Sequence, residues 1–147
     1  MTRFLPPYLF LSLLLPLAAI WLWHPPAQVP FEINVPPWDV PLILGLVLVI
    51  WARVQFRQSD SEIMTFDTPR NLVTTGVFRL SRNPMYLGFA LILLAGALYV
   101  NFWCAFVVPA VFLAVCQWWN IPAEERNMRA EFGPAYDAYA ARVRRWI

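Results

Sequence analysis

Two polar clusters interrupt an otherwise apolar chain, and each carries side chains that could bind a small molecule. The first cluster, residues 72–88, contains Arg82, Asn83 and Pro84 in succession. Asn83 suits a helix N-cap and Pro84 suits the first helical position, so the free N–H groups and the dipole of that helix would favour an anion. Arg82 adds a guanidinium that can hold a carboxylate or phosphate through two hydrogen bonds. The alternative is an ordinary helix start with an arginine that reaches to lipid headgroups.

The second cluster contains two adjacent carboxylates, Glu124 and Glu125, shortly after a long apolar stretch. Acidic side chains beside the hydrocarbon are unusual because charge near lipid is costly. The pair could attract a cationic ligand or accept a proton during catalysis. The alternative is the acidic first turn of a helix that begins near Pro122.

The elements that must position these clusters are strongly apolar. Hydrophobic residues make up 60% of the 147 residues and charged residues 14%, against about 45–50% and about 25% in soluble domains. One core of this size cannot hide so much apolar surface. We therefore expect an all-α integral membrane protein with a single membrane domain over 1–147. Four apolar stretches have the length of membrane-spanning helices, and they cover about 5–23, 40–56, 84–100 and 102–119.

The third and fourth stretches are joined by a very short turn at Asn101, which predicts an antiparallel helical hairpin. The start of the third span and the end of the fourth are then neighbours in space. We therefore expect the two polar clusters to face each other at one surface of the membrane.

The arginines predict which surface this is. All 11 basic residues are arginine, and they concentrate in the loop 57–83 and the tail 120–147, whereas 24–39 contains none. By the positive-inside rule the loop and the tail are cytoplasmic, and four crossings then place both termini there. We expect a multi-pass protein of a bacterial inner membrane that retains its first span rather than losing it as a signal peptide.

The tail has apolar residues at three- and four-residue spacing, with a break at Gly133 and Pro134. This pattern predicts two short amphipathic helices on the cytoplasmic side. They could anchor the tail at the headgroups, or they could form a lid over the two clusters.

Several other classes of function are disfavoured. A net charge of +2 is too small to favour nucleic acid. Cys104, Cys116 and the single histidine, His24, lack metal-ligand spacing, so we expect no metal site. The glycines form no dinucleotide-binding motif. The absence of acidic residues inside the spans argues against a transporter.

Taken together, the motifs resemble those of the integral membrane methyltransferases of the isoprenylcysteine carboxyl methyltransferase and phospholipid N-methyltransferase type. The resemblance rests on R-x-P-x-Y-x-G at 82–88, E-E at 124–125 and F-G-x-x-Y-x-x-Y at 132–139, over about the carboxy-terminal half of the chain. It implies S-adenosylmethionine-dependent methyl transfer at the cytoplasmic membrane face, with membrane lipids around the protein and a hydrophobic methyl acceptor.

The resemblance also implies roles for individual residues. Glu124 would face the reaction centre with Glu125 beside it, and both are our candidate catalytic residues. Arg82 suits the carboxylate of the cofactor, and a glutamate suits its cationic part. The remaining cofactor contacts would fall on seven positions: Leu72, Val73, Phe78, Asn83, Pro84, Met85 and Tyr86.

The chain departs from the family pattern at two positions. The family often has His where this chain has Asn83, and the eukaryotic prenylcysteine enzymes have Arg where it has Asn120. The acceptor therefore stays open among a prenylcysteine carboxylate, a phospholipid amine and a small thiol. Two other interpretations are a non-enzymatic helical scaffold and a nicotinamide-dependent enzyme like the sterol reductases. The sequence does not indicate the oligomeric state.

Overall fold

The computed structural model describes residues 6–23, 38–58 and 71–147, and predictions for His24 and for residues 59–70 of the loop 57–83 lie outside these ranges. The described residues confirm the predicted all-α fold. Within these ranges the helices are α1 Pro6–Trp23, α2 Asp39–Gln58, α3 Pro84–Val100, α4 Val107–Val115, α5 Ile121–Phe132 and α6 Pro134–Arg142. Short 3-10 turns lie at Gly76–Arg79 and Trp103–Phe106, and a π turn lies at Cys116–Asn120.

The helices have the length and surface of an integral membrane protein. Pro6–Trp23, Asp39–Gln58 and the continuous segment Trp103–Phe132 are each long and apolar enough to cross a membrane, and α3 is a shorter apolar helix. At 17 residues, α3 extends about 25 Å. Outward side chains are apolar: Leu15 and Leu22 are each 72% exposed. Such a surface is stable against lipid tails and unfavourable in water.

Two glycines bring α2 and α3 into close contact. A Cβ atom at Gly45 would lie 2.7 Å from the Gly88 carbonyl oxygen, and one at Gly88 would lie 2.8 Å from the Gly45 carbonyl oxygen. Small residues at such crossings let helix backbones approach in a membrane, where packing rather than hydrophobic burial drives association. Gly88, which belongs to the motif at the start of α3, therefore serves the approach of a neighbouring helix.

The predicted hairpin between the third and fourth spans is confirmed. Helix α3 ends at Val100, and Asn101 adopts a left-handed conformation with φ 52° before the chain turns into the Trp103–Phe106 turn. Asparagine tolerates this conformation better than most residues. The turn thus returns the chain beside α3 within a few residues.

The helix that carries the predicted fourth span, 102–119, extends beyond that span. The helix continues through the π turn into α5 and ends only at Phe132. In a regular helix the ring of Pro122 would clash with the carbonyl four residues earlier. The π turn widens the helix directly before it, with the Ile121 N–H bonded to the Cys116 carbonyl. The two glutamates therefore lie on a helical continuation of the fourth span rather than on a loop.

The tail folds back onto the loop that precedes α3. The predicted break at Gly133 is confirmed, since α5 ends at Phe132 and α6 begins at Pro134. Tyr136 and Tyr139 of α6 then pack with Val77, Phe78 and Ala52 in a buried cluster. A separate core cluster lies between α1, α3 and α4 around Leu93 and Phe112.

We expect Gly88→Ala to destabilise the protein by about 1–3 kcal/mol, because the added methyl group meets backbone that must move. Gly96→Ala is the matched control, since its Cβ would meet only the tip of Leu17 at 3.1 Å. Thermal unfolding in detergent measures both. An equal or higher Tm for Gly88→Ala than for Gly96→Ala would contradict the close contact.

Candidate functional site

The two polar clusters meet, as predicted, through a contact between Tyr86 and Glu124. The Tyr86 hydroxyl donates a hydrogen bond to Oε1 of Glu124. Tyr86 lies in the first turn of α3 and is buried, whereas Glu124 lies on an exposed position of α5. A buried hydroxyl thus holds the carboxylate of an exposed residue.

Glu125 has a different environment from its neighbour, because it is buried among arginines. Its carboxylate lies 3.1 Å from Nη1 of Arg82 and 4.0 Å from Nη1 of Arg129. Arg145 donates two hydrogen bonds to it, from Nε and Nη2, each 2.8 Å long. Glu125 is only 6% exposed, and a carboxylate can be buried to that extent only with such partners. Glu125 therefore joins α5, the start of α3 and the tail.

Arg82 belongs to the same group of charged side chains, which we call the ion cluster: Glu125, Arg82, Arg129 and Arg145. Its Nη1 group also donates to the Tyr136 hydroxyl at 3.3 Å. Its Nε atom is buried and has no hydrogen-bond partner among the described residues. Arg129 closes the other side of the cluster, with its guanidinium over the Tyr136 ring and its Nε donating to Asp137 at 3.0 Å.

The start of α3 has the predicted residues at the predicted positions but a different capping pattern. Asn83 is the N-cap residue and Pro84 follows at the first position, yet the Asn83 side chain does not cap the helix. Its Nδ2 group donates instead to the Arg145 carbonyl at 3.0 Å. The first-turn N–H groups of α3 are therefore left without the usual side-chain cap.

The other predicted cofactor positions divide between two environments. Leu72, Val73 and Phe78 belong to the cluster that α6 covers. The Phe78 ring packs edge-on against Phe56, with 4.9 Å between centroids. Met85 is partly buried and touches both core clusters. The structure thus brings Tyr86 to Glu124 and Arg82 to Glu125, and it packs the three earlier residues in the cluster with α6.

Tyr139 fixes the loop in this position. Its hydroxyl donates to the Phe78 carbonyl oxygen at 2.7 Å. Burial is the main cause that raises the pKa of Tyr139 to about 12, with the nearby positive charge of Arg82 opposing it. The phenol therefore stays protonated and keeps donating at neutral pH.

Several residues of this site were not among the predicted ones. Ser81 and Arg145 hold the start of α3, Tyr136 bonds to Arg82 of the ion cluster, and Tyr139 bonds to the Phe78 carbonyl. The F-G-x-x-Y-x-x-Y spacing places both tyrosines on one face of a short helix, so this signal was available in the sequence. Arg145 carries no such signal, because the sequence does not distinguish it from Arg142 and Arg144.

One further polar side chain lies one helical turn before Glu124. Asn120 has a buried Nδ2 atom with no hydrogen-bond partner among the described residues. For the part of the chain that the structure describes, no group of three or more His, Cys, Asp and Glu residues is arranged to hold a metal ion. The site is therefore built from hydrogen-bonding and charged groups.

Comparison with known proteins defines the class. The phospholipid methyltransferase family model matches residues 40–135, which include α2, α3, the hairpin and both glutamates. The chain belongs to this family of membrane methyltransferases.

Individual relatives add little detail. An uncharacterized protein of Haemophilus influenzae is 36% identical over 63 residues, which is 43% of this chain and 100% of that protein. No solved structure is significantly similar to the chain. The roles of individual residues must therefore be argued from the geometry of this site.

Removing the Glu125 carboxylate should destabilise the fold strongly, because the largely buried Arg82 guanidinium, 13% exposed, then loses its carboxylate partner. We expect Glu125→Ala to lower the free energy of unfolding by about 3–5 kcal/mol, as for other broken buried ion pairs. Glu131→Ala removes an exposed carboxylate from the same helix and should cost far less. Thermal unfolding in detergent compares them, and equal Tm values would show that the ion cluster has no structural role.

Proposed function

We propose that the protein transfers a methyl group from S-adenosylmethionine to the headgroup of a membrane lipid at the cytoplasmic face. The observation that carries the proposal is the contact between Tyr86 and Glu124, which sets an accessible carboxylate against the start of α3. Membership of the phospholipid methyltransferase family supports the same chemistry.

The chemistry of the available groups fits this cofactor. S-adenosylmethionine carries a carboxylate, an ammonium group, a sulfonium cation and a flat adenine. The uncapped first turn of α3 offers N–H donors and a positive dipole end for the carboxylate. Glu124 offers a negative charge for a cation, held in place by Tyr86. Arg82, with a buried Nε that lacks a partner among the described residues, supplies positive charge next to that helix start.

The two glutamates take different roles in this proposal. Glu124 acts at the reaction centre, because its carboxylate lies on an exposed position and has the buried Tyr86 hydroxyl behind it. Glu125 acts as the internal anion that holds Arg82 and Arg145 in position. A carboxylate that already accepts these charge-assisted bonds is a poor proton acceptor.

The methyl transfer itself then needs little covalent participation by the protein. When bound, S-adenosylmethionine would supply a methyl group on a sulfonium that leaves as a neutral thioether when the acceptor nitrogen takes the methyl group. The acceptor nitrogen would attack as the neutral amine, and Glu124 would stabilise the positive charge that passes from sulfur to nitrogen and then take a proton from the methylated ammonium product. Tyr86 orients the Glu124 carboxylate, and alignment of the two reactants is the main source of the rate enhancement.

The depth of the site supports a lipid headgroup as the acceptor. Trp118 and Trp119 are 75% and 76% exposed, shortly before Glu124 on the same continuous helix. Exposed tryptophans prefer the interface between hydrocarbon and water. Glu124 lies about 7 Å further along the helix at 1.5 Å per residue, which is the level of lipid headgroups.

A phospholipid amine is the acceptor that we favour. A prenylcysteine would present a carboxylate, and Asn120 supplies no positive charge at the position where a prenylcysteine enzyme has arginine. An amine suits Glu124, because a carboxylate both attracts it and accepts its proton. Exposed arginines on this end of the molecule, including Arg126 and Arg142, support a cytoplasmic orientation.

The direct test is methyl transfer from radiolabelled S-adenosylmethionine by the purified protein in detergent. We expect label in phosphatidylethanolamine, and no label in a prenylated cysteine or a hydrophobic thiol presented in parallel. Glu124→Gln should lower turnover by about 100-fold, within the range for a lost acid–base group, while cofactor-free Tm stays unchanged. Glu131→Gln is the control for a lost charge on the same helix.

Two results would contradict the proposal. Absence of cofactor binding by calorimetry at high micromolar concentration would exclude the cofactor. Turnover of Glu124→Gln at the rate of the wild type would exclude the role of this carboxylate. Label in the prenylcysteine or in the thiol would retain the enzyme class and correct the acceptor.

A further inference from the structure

The last five residues, 143–147, form a segment that we call the C-terminal strap, and it lies across the start of α3. The Arg82 N–H donates to the Arg144 carbonyl at 3.0 Å. The Ser81 hydroxyl and the Asn83 side-chain amide both donate to the Arg145 carbonyl, at 3.2 Å and 3.0 Å. Three consecutive residues before α3 are thus bound to the main chain of a segment some sixty positions later in the sequence.

The side chains of the strap bind the other helical segment of the site, which is α5 and the π turn before it. The Arg145 guanidinium donates two hydrogen bonds to Glu125 on α5. The Trp146 indole N–H donates to Oε1 of Gln117 at 2.8 Å. Hydrogen bonds to Glu125 are the main cause that raises the pKa of Arg145 above its usual value, so its charge is permanent. The strap therefore links the two helical segments that form the site.

Arg145 is the residue at which these bonds converge. Its carbonyl holds the Asn83 amide, and its guanidinium holds Glu125. The Asn83 amide that is bound to Arg145 does not cap α3. If the strap were released, the Asn83 side chain could turn back and occupy the first-turn N–H groups that a ligand carboxylate would need.

We propose that Arg145 is a positioning residue that keeps the start of α3 open for the carboxylate of the cofactor. This inference rests on the proposed function for the identity of the ligand. In this proposal Arg145 acts through its bonds to Asn83 and Glu125. Loss of its side chain leaves Glu125 paired with Arg82, so the fold should survive the substitution.

The test compares S-adenosylmethionine binding by calorimetry for Arg145→Ala, Arg145→Lys and Arg144→Ala. We expect Arg145→Ala to weaken binding about tenfold or more, the equivalent of one lost charge-assisted contact. Arg145→Lys keeps the charge but loses the geometry of two hydrogen bonds to Glu125. Its affinity for S-adenosylmethionine should therefore lie between those of Arg145→Ala and the wild type. Arg144→Ala removes the same charge from an exposed neighbour and should bind as the wild type does.

Two further measurements separate positioning from a general loss of stability. In the methyl-transfer assay, Arg145→Ala should raise KM for the cofactor and leave kcat within about twofold, because ground-state and transition-state binding are weakened equally. Hydrogen exchange without cofactor should speed up at the Arg82 amide and stay unchanged in the middle of α3. Faster exchange throughout the protein would indicate a merely structural role and overturn the inference.

The two hypotheses fail in different ways. A wild-type protein that binds no S-adenosylmethionine refutes the proposed function. Binding by the wild type together with equal binding by Arg145→Ala refutes only the inference about Arg145. Unchanged exchange at the Arg82 amide in Arg145→Ala would also refute it, whatever the wild-type protein binds.

Discussion

The structure depends on the buried carboxylate of Glu125, which cannot remain ionised at the edge of a membrane without cations around it. Arg82, Arg129 and Arg145 supply that charge from the start of α3, from α5 itself and from the C-terminal strap. One ion cluster therefore fixes three segments that are distant in sequence. The neighbouring Glu124 lies on an exposed position and accepts the hydrogen bond of Tyr86. The adjacent pair thus divides into a structural and an accessible carboxylate.

The helices below the cluster act as a rigid support for it. The glycine contact between α2 and α3 sets the position of the start of α3. The π turn lets one helix continue through Pro122, so Glu124 and Glu125 are held on the extension of a membrane span rather than on a loop. Sites on rigid elements hold their geometry more closely than sites on loops. This support is consistent with chemistry that relies mainly on alignment of two reactants.

Much of the fold could be predicted from the sequence, and much of the site could not. The predicted bounds of α3 agree with the structure, because Pro84 marks its start and a short apolar run ends at Asn101. The continuation of the fourth span was missed, since Pro122 normally marks a helix start and the π turn has no signal in sequence. Long-range pairing was also missed. Nothing in the sequence says which arginine of the tail meets Glu125, or that Asn83 bonds to a carbonyl in that tail.

The central claim is that Glu124 faces the positive charge of a bound sulfonium. It is tested most directly by comparing the affinities of S-adenosylmethionine and of its uncharged-sulfur product, S-adenosylhomocysteine, by calorimetry. The account predicts that the wild type binds the sulfonium form more tightly and that Glu124→Gln removes this preference while both ligands still bind. Equal affinities in the wild type, or a preference that survives in Glu124→Gln, would contradict it.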